Sequence, residues 1–598
     1  MDCHAAVLLQ SCKWVIVGRD PSLINVLFSH AAQKRKKGGK VMRKARKFMS
    51  LALSAAMVVG MAATTPVMAE DAAASEDGYN LSLCIASEPM SIDPALNSAV
   101  DGSIMCNHMF EGLIKWVDDG NGNAVTAPGQ AESWEKTAND DGTVTYTLTL
   151  RDGIKWSDGQ DVTAGDFVYS WQRLANPETA ADYCYMIDMV QGYDTVADGS
   201  AEPDTLGIKA IDDKTLQIDL TYDCPYFEEI MAFPATFPVR QDKVEGNDDW
   251  TYDVDSYISN GPYKMKEWSH NAYILMEKNE NYYDYENLGP DTIKFALLDD
   301  NNAMLKGYNN GELDFIENLP VDEIPSYLAD GQLNIADYLG TYYVCFNTED
   351  ETFSDPNIRK AFSLVIDRNY IVENVSQAGE VPADGYVPSG VYDAAGAGSD
   401  DFRTVGGSYY SISDEDYEKN CEEARQLLAD AGYPNGEGFP TVEYLYNTSD
   451  NHKKIGEALQ NMWQEQLGVT VKLNNQDWNV FLENRKQGNY QIARNGWIAD
   501  YNDPCSFLDM WYTGGGNNDA QYSNPDYDAK IDEAKATSVQ EDRMKAFHEA
   551  EDILIGQDSV LAPIYFYTQP YMLKENIQGM YYTPLGYFFF GYTSKTAE

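Results

Sequence analysis

Apolar and polar residues alternate with strand periodicity in several stretches of the N-terminal half of the chain. Leu81–Ile85 alternates in this way, and Thr143–Leu150 places every second residue from Val144 onward on one apolar face. Asp152-Gly153 and Asp158-Gly159 are dipeptides typical of tight turns, so the pattern predicts a hairpin after the second strand.

The last third of the chain alternates between strand and helix periodicity. Ile455 and Leu459 recur at helical spacing, Ser449 or Asp450 can cap the start of that helix, and Gly468 can end it. Strand–helix–strand–helix–strand implies right-handed crossovers and a parallel sheet, with a ligand beyond the carboxyl ends of the strands. The predicted elements are strand Thr441–Tyr446, helix Asn451–Leu467, strand Val469–Leu473, helix Asp477–Lys486 and strand Tyr490–Ile498.

Composition narrows the class of protein. The 598 residues exceed one ordinary domain and predict roughly two to four. Hydrophobic residues make up 43% and aromatic residues 12%, which is ample for a packed core. No run of 18 apolar residues follows residue 70, so we do not expect the folded part to span a membrane.

Charge is distributed unevenly along the chain. Residues 1–69 contain 11 Lys/Arg and 2 Asp/Glu, which leaves 32 basic and 93 acidic residues and a net charge of −61 for the rest. Such a surface repels nucleic acid, so no nucleic-acid partner is expected. The acidity fits either a well-solvated exported protein or a bias toward cationic ligands, and charge alone does not separate these two interpretations.

The segment from Met42 has the pattern of a secretory signal peptide. A basic stretch precedes the apolar Phe48–Ala63, and Thr64–Ala69 ends in the small residues that signal peptidase accepts. We expect cleavage between Ala69 and Glu70. No Cys stands at that point, so a lipid-anchored form is not indicated.

Residues 1–41 fit no folded element. One interpretation is a disordered basic tail. The other is a mis-annotated leader, because the Lys37-Gly38-Gly39 sequence can be encoded by a purine-rich ribosome-binding site two codons before Met42. On that interpretation translation starts at Met42.

Cysteine and histidine positions argue against metal and redox chemistry. Seven Cys lie beyond residue 69 without a C-x-x-C pair, and we interpret them mostly as small buried hydrophobic residues. No nucleophile elbow, P-loop, dinucleotide-binding glycine motif or H-E-x-x-H motif occurs, so no cofactor, metal or catalytic residue is predicted. Because acidic residues are so numerous, a carboxylate pair of a secreted hydrolase stays open as an alternative.

A series of motifs carries a resemblance to a known family. In chain order they are Ser87-Glu88-Pro89, Ser91-Ile92-Asp93-Pro94, Phe110-Glu111-Gly112-Leu113, Pro128–Trp134, Leu150–Gly159, Thr163–Trp171, Gly261-Pro262-Tyr263 and Ile358–Phe362. Each motif alone is weak, but their joint order over about residues 80–590 resembles the solute-binding proteins of peptide and nickel ABC importers, and within them the oligopeptide-binding branch.

The resemblance implies an α/β, two-lobed fold of the periplasmic-binding-protein type (type II, large form) with an additional inserted domain. Lobe I would combine residues 70–112, 250–342 and 568–598. The inserted domain would be 113–249, and lobe II would be 343–567.

The same resemblance implies the binding residues. The segment Arg494–Pro504 is very similar to the oligopeptide branch, in which the aspartate matching Asp500 holds the α-ammonium of the ligand. The alternative role for Asp500 is to cap the turn that follows it. Arg494 matches an arginine that meets the carboxylate of shorter ligands, and His452 matches a histidine proposed to do so for longer ones; for both, solvated surface charge is the alternative.

Three aromatic residues complete the implied site. Trp497 and Trp478 would line side-chain pockets, although Trp at such spacing also serves as plain core, and Tyr183 matches a cleft tyrosine. Two positions depart from some relatives. Ile498 replaces a cysteine, so no disulfide is expected there, and Ser98 stands near the place of an early cleft acid.

The function implied is reversible capture of short peptides by hinge closure and their delivery to an ABC permease with its cytoplasmic ATPase. A monomer, exported to the periplasm or the exterior of the cell envelope, is expected. The alternatives are the same fold binding a glycoside, a nickel chelate or a murein peptide, or a secreted hydrolase.

Overall fold

The computed structural model describes residues 78–85, 88–118 and 124–596. The leader and signal peptide expected within residues 1–69 lie outside this part of the chain.

Strands and helices alternate along the described residues. The strands are β1 (Asn80–Cys84), β2 (Ile114–Asp118), β3 (Ala124–Pro128), β4 (Ala131–Ala138), β5 (Val144–Leu150), β6 (Ile208–Ala210), β7 (Thr215–Leu220), β8 (Tyr263–Ser269), β9 (Tyr273–Lys278), β10 (Thr292–Ala296), β11 (Phe315–Ile316), β12 (Asn334–Phe346), β13 (Val381–Pro382), β14 (Val442–Asn447), β15 (Val471–Gln476), β16 (Ile492–Ile498), β17 (Leu561–Leu573), β18 (Ile577–Gln578), β19 (Tyr581–Tyr582), β20 (Phe588–Phe589) and β21 (Ser594–Lys595). The helices are α1 (Val100–Met109), α2 (Ala164–Ala175), α3 (Tyr193–Ala197), α4 (Phe227–Ile230), α5 (Gln241–Val244), α6 (Asn301–Asn309), α7 (Ile324–Ala329), α8 (Pro356–Leu364), α9 (Arg368–Ile371), α10 (Phe402–Gly406), α11 (Tyr417–Asp430), α12 (Asp450–Leu467), α13 (Trp478–Lys486), α14 (Cys505–Leu508), α15 (Pro525–Lys535) and α16 (Gln540–Glu551).

One mixed sheet runs through both lobes of the molecule. Its order is β15-β14-β16-β12-β17-β11-β1-β10-β9-β8, and β13 pairs with β17. The first lobe carries β1 and β8–β11, and the second lobe carries β14–β16. The long antiparallel strands β12 and β17, each of 13 residues, connect the two halves, and their register shifts between Asp337 and Thr341. A bulge of this kind bends and twists a strand.

The second lobe forms as its sequence predicts. In α12, Ile455 and Leu459 are fully buried, the Ser449 side chain accepts a hydrogen bond from the His452 backbone N–H, and Gly468 takes the left-handed conformation (φ 72°) that ends the helix. Strand β14 pairs in parallel with both β15 and β16. Helix α13 follows β15, with Phe481 fully buried. The predicted parallel sheet is confirmed.

A separate antiparallel sheet, β4-β5-β7-β6, lies in residues 124–249, which we call the small-sheet region. The hairpin predicted after β5 is reduced to an isolated bridge between Lys155 and Asp161. The reason is that β5 already has two antiparallel partners, β4 and β7, along its edges.

Cysteine burial agrees with the sequence interpretation. All seven Cys of the described residues are free, and six of them are buried, Cys184 being half-buried. No helix in these described ranges is long and apolar enough to cross a membrane. Within the same ranges no group of three or more metal-ligating side chains occurs.

Candidate functional site

A cavity of about 410 Å³ lies where the two lobes and the small-sheet region meet. From the second lobe it is lined by Trp497 to Asp500, at the carboxyl end of β16. From the first lobe it is lined by Ile85 and Glu317, which directly follow the parallel strands β1 and β11. The cavity therefore occupies the position predicted for a ligand, beyond the carboxyl ends of parallel strands.

Asp500 is a buried carboxylate in the cavity wall without a cationic partner. Its residue is 6% exposed, and within the described chain it forms no salt bridge. The Tyr183 hydroxyl donates to Asp500 Oδ1 at 3.0 Å, and the Ser506 hydroxyl donates to Oδ2 at 3.3 Å. Burial raises the pKa of Asp500 to about 8, and these two hydrogen bonds offset only part of that rise.

The turn after Asp500 is capped by another residue. Asp503 Oδ1 accepts from the Cys505 backbone N–H at 2.9 Å, and Arg543 donates to both oxygens of Asp503 at 2.7 and 2.8 Å. Asp500 is thus free of the capping role that was the alternative for it. The Asp503–Arg543 pair fixes the backbone that presents Asp500 to the cavity.

Arg494 and His452 meet in the cavity wall from β16 and α12. Arg494 Nη2 lies 2.8 Å from His452 Nε2, and a guanidinium can only donate, so Nε2 is the acceptor. Burial, together with the positive charge of Arg494, lowers the pKa of His452 well below its usual value. The imidazole is therefore neutral, with Nδ1–H directed to the Tyr342 hydroxyl at 3.3 Å.

Arg494 keeps its positive charge uncompensated. No described carboxylate lies within salt-bridge distance of it, and its guanidinium lies 5.6 Å from the ring centroid of Tyr342 and 5.8 Å from that of Trp478. Arg494, Gly496 and Ile498 alternate along β16 and line the cavity, and Asp500 lines the same cavity two residues beyond the strand. Arg494 and Asp500, two groups of opposite sign without a salt-bridge partner in the described chain, thus line the same cavity.

The three predicted aromatic residues all line the cavity. Trp497 is 9% exposed, and its indole N–H donates to the Ser506 carbonyl at 2.7 Å. Ser506 is also the residue whose hydroxyl donates to Asp500. The indole N–H of Trp478 is buried without a hydrogen-bond partner. Tyr183 packs 6.1 Å from Trp497 and carries the hydroxyl that contacts Asp500. Ser98 and Ile498, noted as departures, also line this cavity.

Contacts between the small-sheet region and the second lobe close the cavity. Glu229 accepts from the Asn502 backbone N–H at 3.0 Å, and Tyr226 stacks on Tyr501 with ring centroids 4.3 Å apart. Lys486 forms a salt bridge to Asp182 at 2.5 Å. These bonds hold the cleft shut around an interior space.

Sequence reasoning missed two cavity residues and one residue that supports the cavity wall from behind. Asp101 stands in the first turn of α1, Glu317 follows the two-residue strand β11, and Ser506 supports Asp500 from α14. An acid in a helix first turn is too common to single out Asp101, and β11 is too short to be detected by alternation. Only the fold brings these residues to the site.

The fold and the closed cavity define a two-lobed solute-binding protein. A family model described as "Bacterial extracellular solute-binding proteins, family 5 Middle" matches residues 126–519, and the chain belongs to this family. It is 35% identical over 513 residues to the oligopeptide-binding protein OppA of Bacillus subtilis, an alignment that covers 85% of this chain and 91% of that protein.

Solved structures agree with the fold. The Haemophilus influenzae OppA complex with the peptide RPPGFSPFR superposes with a TM-score of 0.81 at 31% identity, covering 88% of this chain and all of that one. The Escherichia coli murein tripeptide-binding protein MppA gives 0.80 at 32% identity with the same coverage, but its unliganded open form gives 0.58, covering 88% of this chain and 99% of that one. The lobes of this chain thus differ in arrangement from that open form.

Proposed function

We propose that this protein captures short peptides outside the cytoplasm, by closure of the lobes around them, and delivers them to an ABC permease driven by a cytoplasmic ATPase. The names of its relatives support peptides as the ligand class, since both an oligopeptide-binding protein and a structure with bound peptide align over most of the chain. Capture involves no chemical turnover.

The observation that carries this proposal is the buried Asp500 carboxylate without a cation. An ionised carboxylate buried without a counter-charge is costly, so a positive group that enters with the ligand removes this cost and favours closure. The α-ammonium is the positive group that every unmodified peptide shares. Asp500 would hold it, with Tyr183 and Ser506 orienting the carboxylate.

Arg494 would meet the other end of the ligand. It lies in β16, six residues before Asp500, and a fully extended chain of that length spans at most roughly 20 Å. After the lengths of the ammonium–Asp500 and carboxylate–Arg494 contacts are subtracted, the remaining distance suits an extended peptide of roughly three to five residues. His452 would act as a neutral group that fixes the Arg494 guanidinium, and it would reach a longer ligand only by exchanging that bond. Trp497 and Trp478 would line the side-chain pockets between the anchors.

The proposal also includes the domain boundaries, the hinge and the exported state of the protein. Residues 70–112, 250–342 and 568–598 would form lobe I, residues 113–249 the inserted domain, and residues 343–567 lobe II, with β12 and β17 as the hinge. The protein would act as a monomer after cleavage between Ala69 and Glu70, without a lipid anchor.

Native mass spectrometry of protein purified from its host tests the proposal directly. We expect the mass spectrum to show a retained peptide. Tri- to pentapeptides should also raise the melting temperature, because a ligand at 100 times its Kd adds about 2.7 kcal/mol to the free energy of unfolding. Stabilisation by a glycoside or a nickel chelate, with none from a mixed peptide library, would overturn the proposal. Turnover of the peptides would establish a hydrolase instead.

A further inference from the structure

A buried lysine joins the small-sheet region to the second lobe beside the binding site. Lys535, the last residue of α15, forms salt bridges to Asp188 of the small-sheet region and to Asp509 of its own lobe, the latter at 2.7 Å. The side chains of these three residues, which we call the Lys535 cluster, are 17%, 18% and 8% exposed. None of the three lines the cavity, so the cluster does not contact a ligand there.

Each carboxylate of the Lys535 cluster follows a short helix that also carries a hydrogen-bond donor to the carboxylate proposed to hold the ligand. Tyr183 immediately precedes the 3₁₀ helix Cys184–Ile187, and Asp188 directly follows it. Ser506 lies in α14, and Asp509 directly follows that helix. The backbone N–H that caps each helix is hydrogen-bonded within the same helix, which holds the donor and the carboxylate at fixed relative positions.

The two short helices are therefore connected twice. On one side the Asp500 carboxylate accepts from the hydroxyls of Tyr183 and Ser506, at 3.0 and 3.3 Å. On the other side the Lys535 ammonium bridges the two carboxylates of its cluster. Both connections are charge-assisted, and hydrogen bonds of this kind are stronger than those between neutral groups. The position of the Tyr183 hydroxyl relative to that of Ser506 thus depends on Lys535.

Lys535 carries its charge in this cluster. Burial opposes that charge, but the two neighbouring carboxylates outweigh burial and raise the pKa of Lys535 well above its usual value. Without the ammonium, two carboxylates would face each other across the boundary and repel, which would separate the two short helices. The loss of a positive charge would also make the surroundings more negative, and that effect alone would strengthen the binding of a cation at Asp500.

We propose that Lys535 is a positioning residue for peptide capture: by bridging its two carboxylates it places the Tyr183 and Ser506 hydroxyls on Asp500, and so sets the selectivity for a free α-ammonium group. This inference rests on the proposed peptide-binding function and deepens it. Lys535 acts through the two short helices and does not touch the ligand.

The test compares tri-alanine with propionyl-alanyl-alanine, which has the same chain but lacks the α-amino group. Competition calorimetry at pH 8.5 measures the ratio of the two affinities. Wild type should bind tri-alanine about 30- to several-thousand-fold more tightly. Lys535→Met keeps the stem without the charge and should lower this ratio at least about 10-fold, roughly the effect of one hydrogen bond to a charged group. Lys535→Arg keeps a cation that can bridge two carboxylates and should restore the ratio to within about 5-fold of wild type.

Lys530→Met is the matched control. Lys530 lies on the same helix and pairs with Glu533 and Glu549 at 2.7 and 2.6 Å, both within the second lobe, so the ratio should stay at its wild-type value. Both peptides bound more weakly by the same factor in Lys535→Met would overturn the proposal, because that result would mean a general effect on closure. A ratio that rises in Lys535→Met would also overturn it, since the lost charge would then act only through space.

Melting temperatures confirm that each variant is folded. Should Lys535→Met not fold, Asp188→Asn answers the question, because it keeps the Lys535–Asp509 salt bridge within the second lobe. Asp194→Asn, which removes an exposed acid of the same region, is its control for the loss of one negative charge. Equal ratios in Asp188→Asn and Asp194→Asn would overturn the positioning role while leaving peptide binding in place. Failure of wild type to bind any peptide would instead overturn the proposed function.

Discussion

Tyr183 and Asp500 are 317 residues apart in the chain, and their side chains meet across the closed cavity in a 3.0 Å hydrogen bond. Tyr183 belongs to the small-sheet region and Asp500 to the second lobe, so this bond spans the closed cleft. It joins the closure of the protein to the orientation of the carboxylate proposed to hold the ligand.

Replacing Tyr183 by Phe removes the hydroxyl and keeps the ring. Because a hydrogen bond to a charged group contributes about 1.5–3 kcal/mol, we expect peptide affinity to fall by roughly 10- to 100-fold. Calorimetry with one tripeptide measures this. Tyr185→Phe is the matched control: it loses a 3.1 Å hydrogen bond from Asn517, which also joins the small-sheet region to the second lobe, but it keeps both hydrogen bonds of Asp500. Equal losses in both variants would mean that the effect is general to closure.

The free energy of unfolding should depend on the buried salt bridge between Asp503 and Arg543, which lies next to the binding site. Arg543 is 0% exposed and Asp503 is 6% exposed. Truncation of Arg543 to Ala strands the buried carboxylate, so the free energy of unfolding should fall by about 3–5 kcal/mol. Lys545→Ala, on the same helix but 73% exposed at its side chain, should change it by less than about 0.5 kcal/mol. Denaturant unfolding compares the two, and a similar small change in both would contradict the prediction.

The second lobe could be predicted because its signals are local. The apolar spacing of α12, its Ser449 cap and its terminal Gly468 all lie within 20 residues, and β14–β16 alternate regularly. The resemblance to the family predicted six binding residues, and the structure brings all of them to one cavity: Asp500, Arg494, Trp497, His452, Trp478 and Tyr183.

What could not be predicted depends on distant contacts. Strand β11 has two residues and exists because it pairs with Leu83 and Cys84, more than 200 residues earlier, so Glu317 gave no signal in its own sequence. The contact of Arg494 with His452 joins β16 to α12. The sequence does not show this contact, and without it His452 could equally be a charged histidine that binds the ligand itself. Both cases require tertiary pairing.

Closure of the empty protein should respond to pH. In the closed form burial raises the pKa of Asp500 and of Glu317 to about 8, that of Glu229 to about 7 and that of Asp101 to about 6. A solvated carboxyl in an open cleft titrates near 4, so between about pH 4 and 8 the closed form binds more protons. Lowering the pH from 8.5 to 5 should therefore shift the ligand-free protein toward the closed form.

Small-angle X-ray scattering measures this shift as a fall in radius of gyration. Asp500→Asn should make the ligand-free protein more compact at pH 8.5 and weaken the pH dependence, because one of the groups no longer ionises. A radius that is constant, or that grows on acidification above pH 5, would contradict the assignment.

Arg494 should bind the C-terminal carboxylate of the ligand. Wild type should bind a peptide with a free carboxylate at least about 10-fold more tightly than the same peptide with a C-terminal amide. Arg494→Met should lose this discrimination, and Arg494→Lys should retain part of it, since a charge without the planar fork remains. Retained discrimination in Arg494→Met, measured by calorimetry, would assign the carboxylate to another residue.

Asp500 provides the most direct test of the mechanism. Truncation to Ala leaves the α-ammonium of a bound peptide buried without its partner, which costs roughly 2–5 kcal/mol, or about 30- to several-thousand-fold in affinity. The variant should stay folded, because Asp500 follows a strand and its carboxyl makes only the Tyr183 and Ser506 bonds. Removal of a carboxyl whose pKa burial raises to about 8 should even raise the melting temperature of the empty closed form.

Nα-acetylated peptides complete a double-mutant cycle with Asp500→Ala. Acetylation removes the charge and adds bulk, so wild type should reject these peptides. The two losses should not add: acetylation should matter much less in Asp500→Ala, because the group that it would have paired with is already gone. Calorimetry on the four combinations decides the question. Fully additive losses, or acetylated peptides that bind wild type normally, would mean that the α-ammonium is held elsewhere.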